Sequence, residues 1–183
     1  HAIDLVFVAP DDPLMLGMVD LLEENGIRAF GPRKNAAIVE GSKAFSKALM
    51  KENGIPTAAY EVFDSADAAI SYLSQNQRYP IVIKADGLAL GKGVIIAQSY
   101  AEACAAVRQL MEDRAFGAAG DKIVIEDYLN GPEVTLLAFC DGKTVRPMLY
   151  SQDHNRALDN DEGLNTGGMG TIAPSPFYDS KTA

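Results

Sequence analysis

Apolar residues along this chain fall into short blocks whose spacing switches between strand-like and helical. Residues 3–9, Ile-Asp-Leu-Val-Phe-Val-Ala, form a near-continuous apolar run that predicts a buried, parallel strand. Pro10-Asp11-Asp12-Pro13 breaks it, and a helix is predicted from there to about Asn25, with Leu14, Met18, Leu21 and Leu22 on one face. Gly26 closes that helix and residues 27–30 read as a second short strand. This is a βαβ unit with loop chemistry at the strand's C-terminal end, where α/β sheets place ligands. After Gly31-Pro32, Ser42 is a good N-cap for a helix striped by Phe45, Ala48 and Leu49, with Gly54 and Ile55-Pro56 as its stop.

Residues 57–63 look extended, 65–76 helical, and 80–85 and 94–98 strand-like around a glycine-rich loop. Ser99 and Glu102 form a capping box for a helix carrying Ala103, Val107, Leu110 and Met111. Residues 123–128 and 133–141 read as strands around Asn130-Gly131-Pro132, and Asp141-Gly142 signals a hairpin into a returning strand over 144–150. Beyond Ser151 the chain turns polar and glycine-rich and is expected to be a long loop. The pattern is α/β and α+β in pieces, not one doubly wound sheet.

Composition narrows the class. The chain has 183 residues, 48% hydrophobic and 22% charged, which suits a soluble globular protein and excludes a disordered one. No apolar run approaches the about 20 residues that span a bilayer, and no secretory leader is expected. The net charge of −9 argues against general nucleic-acid binding, but leaves room for a small anion in a locally basic pocket. Cys104 and Cys140 sit among apolar neighbours and read as buried, reduced thiols of a cytosolic protein. The chain opens on His1-Ala2 directly before a strand and stops at Lys181-Thr182-Ala183, so it is expected to be an internal piece of a longer protein.

Three stretches carry candidate chemistry. Residues 81–94 run Ile-Val-Ile-Lys84-Ala-Asp-Gly87-Leu-Ala-Leu-Gly91-Lys92-Gly93-Val, a strand ending in a lysine and then a loop with three glycines. Glycines let backbone N–H groups approach an anion, and Lys84, following three apolar residues, needs an anionic partner near the core. The spacing is not that of a Walker A loop. Lys43 directly follows Ser42, where a cation opposes the helix dipole unless an anion also sits there. Glu126, Asp127, Tyr128 and Leu129 end an apolar strand, and Glu133 lies seven residues after Glu126. A chain turn at Asn130-Gly131 would let Glu126 and Glu133 converge, as carboxylates that grip sugar hydroxyls do.

Lysine, glycine loop, strand and E-x-x-L-x-x-x-E together resemble the nucleotide site of the ATP-grasp superfamily. Gly41-Ser42-Lys43-Ala44-Phe45, Ile83-Lys84-Ala85-Asp86-Gly87-Leu88-Ala89, Ser151-Gln152-Asp153-His154-Asn155-Arg156 and Asn165-Thr166-Gly167-Gly168-Met169-Gly170 resemble, within it, the phosphoribosylamine–glycine ligase family. The likeness runs through the whole chain in the family's order. It implies that residues 1–40 end a parallel α/β domain preceding the ATP-grasp domain. Residues 41–58 would be a linker helix, 59–128 the lid subdomain, and 129–183 the start of an incomplete catalytic subdomain.

The resemblance also implies roles. Lys43 and Lys84 would hold the ATP phosphates, with Lys84 and Arg156 as the catalytic pair. Gly87, Gly91, Lys92 and Gly93 would belong to a mobile loop folding over the phosphates. Glu126, Asp127, Tyr128 and Leu129 would hold the adenine edge through backbone groups, and Glu133 the ribose. Asp153, His154, Asn165, Thr166 and Gly167 would face phosphoribosylamine and glycine, with Asp11 near the phosphoribosyl group. The family more often has Gly-Pro-Glu where this chain has Ala9-Pro10-Asp11. Cofactors would be ATP and Mg²⁺ or Mn²⁺; no metal ligand is named here, because those residues are expected beyond Ala183. His154 next to Asp153 is not read as a general base, since neighbours on a strand point to opposite faces.

The implied reaction joins glycine to 5-phosphoribosylamine through glycyl phosphate, in a cytoplasmic monomer of purine biosynthesis with neither nucleic-acid nor membrane partners. The piece by itself is expected to be inactive. Two alternatives stay open: another purine-pathway ATP-grasp enzyme, and a non-catalytic nucleotide-binding module.

Overall fold

The computed structural model describes residues 3–76, 78–89 and 93–178 of the chain. It divides into two compact units, His1–Tyr128 and Leu129–Ala183.

The first unit begins with a two-stranded parallel sheet. Strands β1 (Val6–Phe7) and β2 (Ala29–Phe30) pair in register, Val6 with Ala29 and Phe7 with Phe30. The expected buried strand is shorter than predicted and its surroundings are open: Phe7 is 58% exposed and Leu5 57%. With two strands, this sheet has too few neighbours to cover both faces of an apolar run.

The expected single helix is two, α1 (Asp11–Leu16) and α2 (Met18–Glu24), broken at Gly17. Gly17 has φ +92°, a left-handed conformation that side chains resist. A helix that periodicity does not predict, α3 (Lys34–Gly41), follows. Its cap position is Arg33, with no side-chain cap bond, and Ala37 is its one buried residue, so no stripe marks it.

The rest of the first unit is a four-stranded antiparallel sheet in the order β3-β6-β4-β5. It comprises β3 (Tyr60–Phe63), β4 (Ile81–Ala85), β5 (Val94–Ala97) and β6 (Ile123–Asp127). Helices α4 (Lys43–Glu52), α5 (Ala66–Gln75) and α6 (Tyr100–Met111) accompany it. Serines start all three: Ser42, Ser65 and Ser99 accept from the amides of Phe45 (3.1 Å), Ala68 (3.4 Å) and Glu102 (3.3 Å). Glu102 reaches back to the Gln98 amide at 3.0 Å, completing a capping box displaced by one residue.

Alternation then sorts the sheet into two faces. Ile81, Ile83, Ala85, Ile123 and Ile125 face α5 and α6 and pack with Leu73, Val107 and Leu110 in the core. Val82, Lys84, Val124 and Glu126 occupy the opposite face, where α4 lies against β6. A 3₁₀ turn at Gly117–Gly120 closes on α6 so tightly that a Cβ on Gly120 would sit 2.0 Å from the Leu110 carbonyl oxygen.

The second unit is two hairpins. Strands β7 (Ala138–Cys140) and β8 (Val145–Pro147) pair around Asp141-Gly142, with Gly142 at φ +87°. The strand expected over 133–141 is confined to its end, apart from a bridge between Thr135 and Ser151. Cys104 is buried, but Cys140 is exposed on this hairpin, against the expectation for both thiols. The expected long loop is an irregular antiparallel hairpin of β9 (Gln152–Leu158) and β10 (Glu162–Ile172), with register shifts between Glu162, Asn165 and Gly170. Its glycine-rich strand has no apolar alternation, so only the pairing with β9 reveals it. Among the described residues no helix is long and apolar enough to cross a membrane.

Candidate functional site

The polar face of the four-stranded sheet builds the site of the first unit. Lys84 follows Ile83 on β4 and therefore points away from the core, towards α4. Glu126 does the same on β6. Its strand is central, and its carboxylate is buried at 6% exposure rather than solvated at an edge. Lys84 lies diagonally across the β4–β6 ladder and pairs with Glu126 through Oε1; Lys47 of α4 pairs with it through Oε2. Burial, the largest single influence, pushes the Glu126 carboxyl up, but hydrogen bonds and charge from Lys47 and Lys84 outweigh it. The net displacement is below the ordinary glutamate value.

Lys47 is fully engaged. Its ammonium donates to Thr57 Oγ1 at 2.7 Å and stands 5.6 Å from the Tyr60 ring centroid. It escaped the sequence reading, although it lies four residues after Lys43 and so on the same helix face.

Asp86 is the second residue that reading missed, and it answers the question raised by Lys43. Its carboxylate accepts from Ser42 Oγ (3.1 Å to each oxygen) and from the Ala44 amide (2.6 Å), while its carbonyl accepts the Lys43 amide at 3.1 Å. An anion does sit at the N-terminus of α4, and it is supplied by the lysine-bearing loop itself. The Lys43 ammonium donates to the Gly87 carbonyl at 3.0 Å. Burial lowers the Lys43 pKa, Asp86 and Glu40 pull it up, Lys84 pushes it down, and the net displacement is downward.

A cavity of about 710 Å³ is lined by Lys43, Lys47 and Lys84, by Asp11, Asp12 and Glu40, and by Leu88, Ala89 and Gly93. That volume lies in the range of small-molecule sites. Gly93 is required there: a Cβ would stand 2.7 Å from that of Ala89 and 3.1 Å from that of Ala85. The Gly87 amide faces the Ala119 carbonyl at 3.4 Å, so it turns into the protein, contrary to an anion-facing role for every loop N–H. Gly91 and Lys92 lie outside the described residues.

The four residues expected at an adenine edge are not equivalent. Glu126 and Asp127 lie inside the sheet ladder, and the Asp127 amide is engaged by the Ala59 carbonyl at 2.9 Å. Tyr128 and Leu129 follow the strand and are exposed.

In the second unit Asp153 is half-buried between two hydroxyls, Thr171 Oγ1 at 2.5 Å and Thr135 Oγ1 at 3.2 Å. His154, its neighbour, is exposed. Glu133 accepts from Asn155 Nδ2 at 3.3 Å. Arg156 donates to the Gly163 carbonyl at 2.7 Å, a bond that fastens the hairpin. Thr166 donates to the Asn155 carbonyl and accepts from the Gly168 amide, both at 3.0 Å. Asn165 pairs with Arg156 across the ladder. A Cβ on Gly167 would meet open space, so the local packing does not demand glycine there.

Comparison with known proteins divides the chain at a different point, between residues 40 and 41. Residues 41–183 match the family described as phosphoribosylglycinamide synthetase, ATP-grasp (A) domain, and residues 1–40 match its N domain. A phosphoribosylamine–glycine ligase of Halalkalibacterium halodurans is 52% identical over 97% of this chain. The human trifunctional purine biosynthetic protein adenosine-3 is 49% identical over 95% of it. The chain spans 41% of the first relative's length and 17% of the second's. A crystal structure of the Thermotoga maritima phosphoribosylamine–glycine ligase superposes with a TM-score of 0.74 at 36% identity, over 81% of this chain and 38% of that one. The chain belongs to the phosphoribosylglycinamide synthetase family and carries part of its ATP-grasp fold.

Proposed function

We propose that this chain is the nucleotide-gripping segment of a phosphoribosylamine–glycine ligase. The whole enzyme would join glycine to 5-phosphoribosylamine in purine biosynthesis, converting ATP to ADP and phosphate. The observation that carries this reading is that Lys43, Lys47 and Lys84 all line one cavity in a chain of net charge −9. Lys43 and Lys84 are the cations offered to a polyphosphate, since Lys47 is held by Glu126 and Thr57; Asp11, Asp12 and Glu40 share the lining.

A carboxylate is a poor acyl donor, and transfer of the γ-phosphoryl group to glycine gives it a leaving group. Amine attack then forms the amide and releases phosphate. Most of the protein's contribution to such a transfer is positioning and charge neutralisation. Lys43 and Lys84 neutralise the phosphates from two sides, α4 and β4. Gly93, where a Cβ would collide with Ala89 and Ala85, lets the backbone approach them. Tyr128 and Leu129, outside the ladder, offer backbone groups to the adenine edge, with Glu133 on the ribose. By family resemblance, Asp153, His154, Arg156, Asn165, Thr166 and Gly167 would serve glycine and phosphoribosylamine in the whole enzyme, and Asp11 the phosphoribosyl group.

The residues fit ATP: Lys43 and Lys84 line a cavity of adequate size, at a wall where a Cβ would collide. For Mg²⁺ they do not suffice. Among the described residues no three His, Cys, Asp or Glu side chains are placed to hold a metal ion together, so no step is assigned to a metal here. A cytoplasmic, monomeric enzyme completes the proposal. For the chain on its own, the reading is nucleotide binding without turnover.

The test is ADP release by the full-length protein carrying this sequence, with phosphoribosylamine and Mg²⁺-ATP, with and without glycine. Strict glycine dependence is expected. ADP release indifferent to glycine would keep the ATP site and overturn the substrate.

A further inference from the structure

Resting on the ATP reading above, the lysine that the family motif does not account for acquires a task. Glu126 is buried and holds two ammonium groups at once, Lys84 on Oε1 and Lys47 on Oε2. The two lysines differ in what else they do. Lys47 is bound on several sides, by Glu126, Thr57 Oγ1 at 2.7 Å, the Ala58 carbonyl at 3.5 Å and the Tyr60 ring, and its side chain is 13% exposed. Lys84 is 27% exposed, lines the cavity and shares Glu126.

An anion entering the cavity therefore competes with Glu126 for Lys84. Were Lys84 the sole partner of Glu126, its departure would strand a buried carboxylate, and the pair would resist opening. Lys47 removes that obstacle, because Glu126 stays paired when Lys84 leaves. We propose that Lys47 is a positioning residue of the phosphate site: it retains the Glu126 carboxylate so that the Lys84 ammonium can transfer from Glu126 to an incoming polyphosphate.

The test is equilibrium ATP binding, with KM and kcat, for the full-length protein and its Lys47→Met, Lys47→Arg, Glu126→Gln and Lys47→Met/Glu126→Gln variants. Lys47→Met should weaken ATP binding and raise its KM at least tenfold, more than it lowers kcat, since Lys84 is then locked on Glu126. Lys47→Arg, which keeps the charge, should stay within threefold of the unaltered protein. The discriminating variant is the double one. With the carboxylate also neutralised nothing holds Lys84, so it should bind ATP more tightly than Lys47→Met alone. A merely structural Lys47 predicts the opposite, losses that add. Losses that add, or Lys47→Met binding within threefold of the unaltered protein, overturn the inference while leaving the ATP site intact. An unaltered protein that binds no ATP overturns the functional reading and this inference together. Should Lys47→Met not fold, Lys47→Gln, which keeps a donor for Thr57 without the charge, carries the same comparison.

Discussion

Replacing Asp86 by alanine should loosen the start of α4 and, with it, the placement of Lys43. The carboxylate accepts from Ser42 Oγ at 3.1 Å and from the Ala44 amide at 2.6 Å, and it is the anion facing the helix dipole. A hydrogen bond to a charged acceptor contributes about 1.5–3 kcal/mol, and a helix cap about 0.5–2 kcal/mol. The group is half-buried and Ser42 keeps its own bond to the Phe45 amide, so the lower part of that range applies. The expected loss is about 2 kcal/mol. With a urea dependence of about 2 kcal/mol per molar, the unfolding midpoint followed by far-UV circular dichroism should fall by about 1 M. Asp86→Asn keeps one acceptor for the Ala44 amide and should lose about half as much. Ser42→Ala should cost less in the Asp86→Ala background than alone, because the two groups share a bond. A midpoint shift below about 0.2 M, or fully additive losses, would show that the Asp86 network does not secure the helix.

Lys84→Ala should cost about a thousandfold in ligase turnover of the full-length protein, as loss of a group stabilising developing charge does; turnover within threefold of the unaltered protein would remove it from the phosphate site. Gly120→Ala places a Cβ 2.0 Å from the Leu110 carbonyl oxygen, backbone that cannot rotate away, and should destabilise by about 1–3 kcal/mol in urea unfolding; an unchanged midpoint would refute that close approach. The Glu126 carboxyl titrates below its ordinary 4.5, so its ion pairs contribute in full above the ordinary glutamate range. That contribution is lost as the pH falls through the depressed folded value, and Glu126→Gln should flatten this part of the acid-unfolding curve; an identical acid limb would contradict the depressed value.

The local signals in the sequence were sufficient where the physics is local. Ser42 and Ser99, read as caps, each bond the amide three residues on, a geometry contained within one turn. Asp141-Gly142 turns a hairpin because Gly142 alone accepts its φ of +87°. The apolar run before Lys84 correctly required an anionic partner, and the family motifs placed the chain in its family. Other features depend on residues far apart in sequence. The break at Gly17 looked like continuous helix, since glycine is tolerated in one and only φ distinguishes the two. The strand β10 has no apolar alternation and exists through its pairing with β9.

The same division runs through the site. Sequence alone determined that Lys43 stands at a helix start and Lys84 at a strand end, because capping and apolar patterning act within a few residues. Tertiary structure alone decided that Asp86, 44 residues from Ser42, is the anion at that helix start. It alone decided that Glu126 takes Lys47 beside Lys84. A buried charge is stabilised by whatever opposite charge the fold brings within a few ångströms, and that distance is set by strand order and helix docking, which no spacing along the chain encodes.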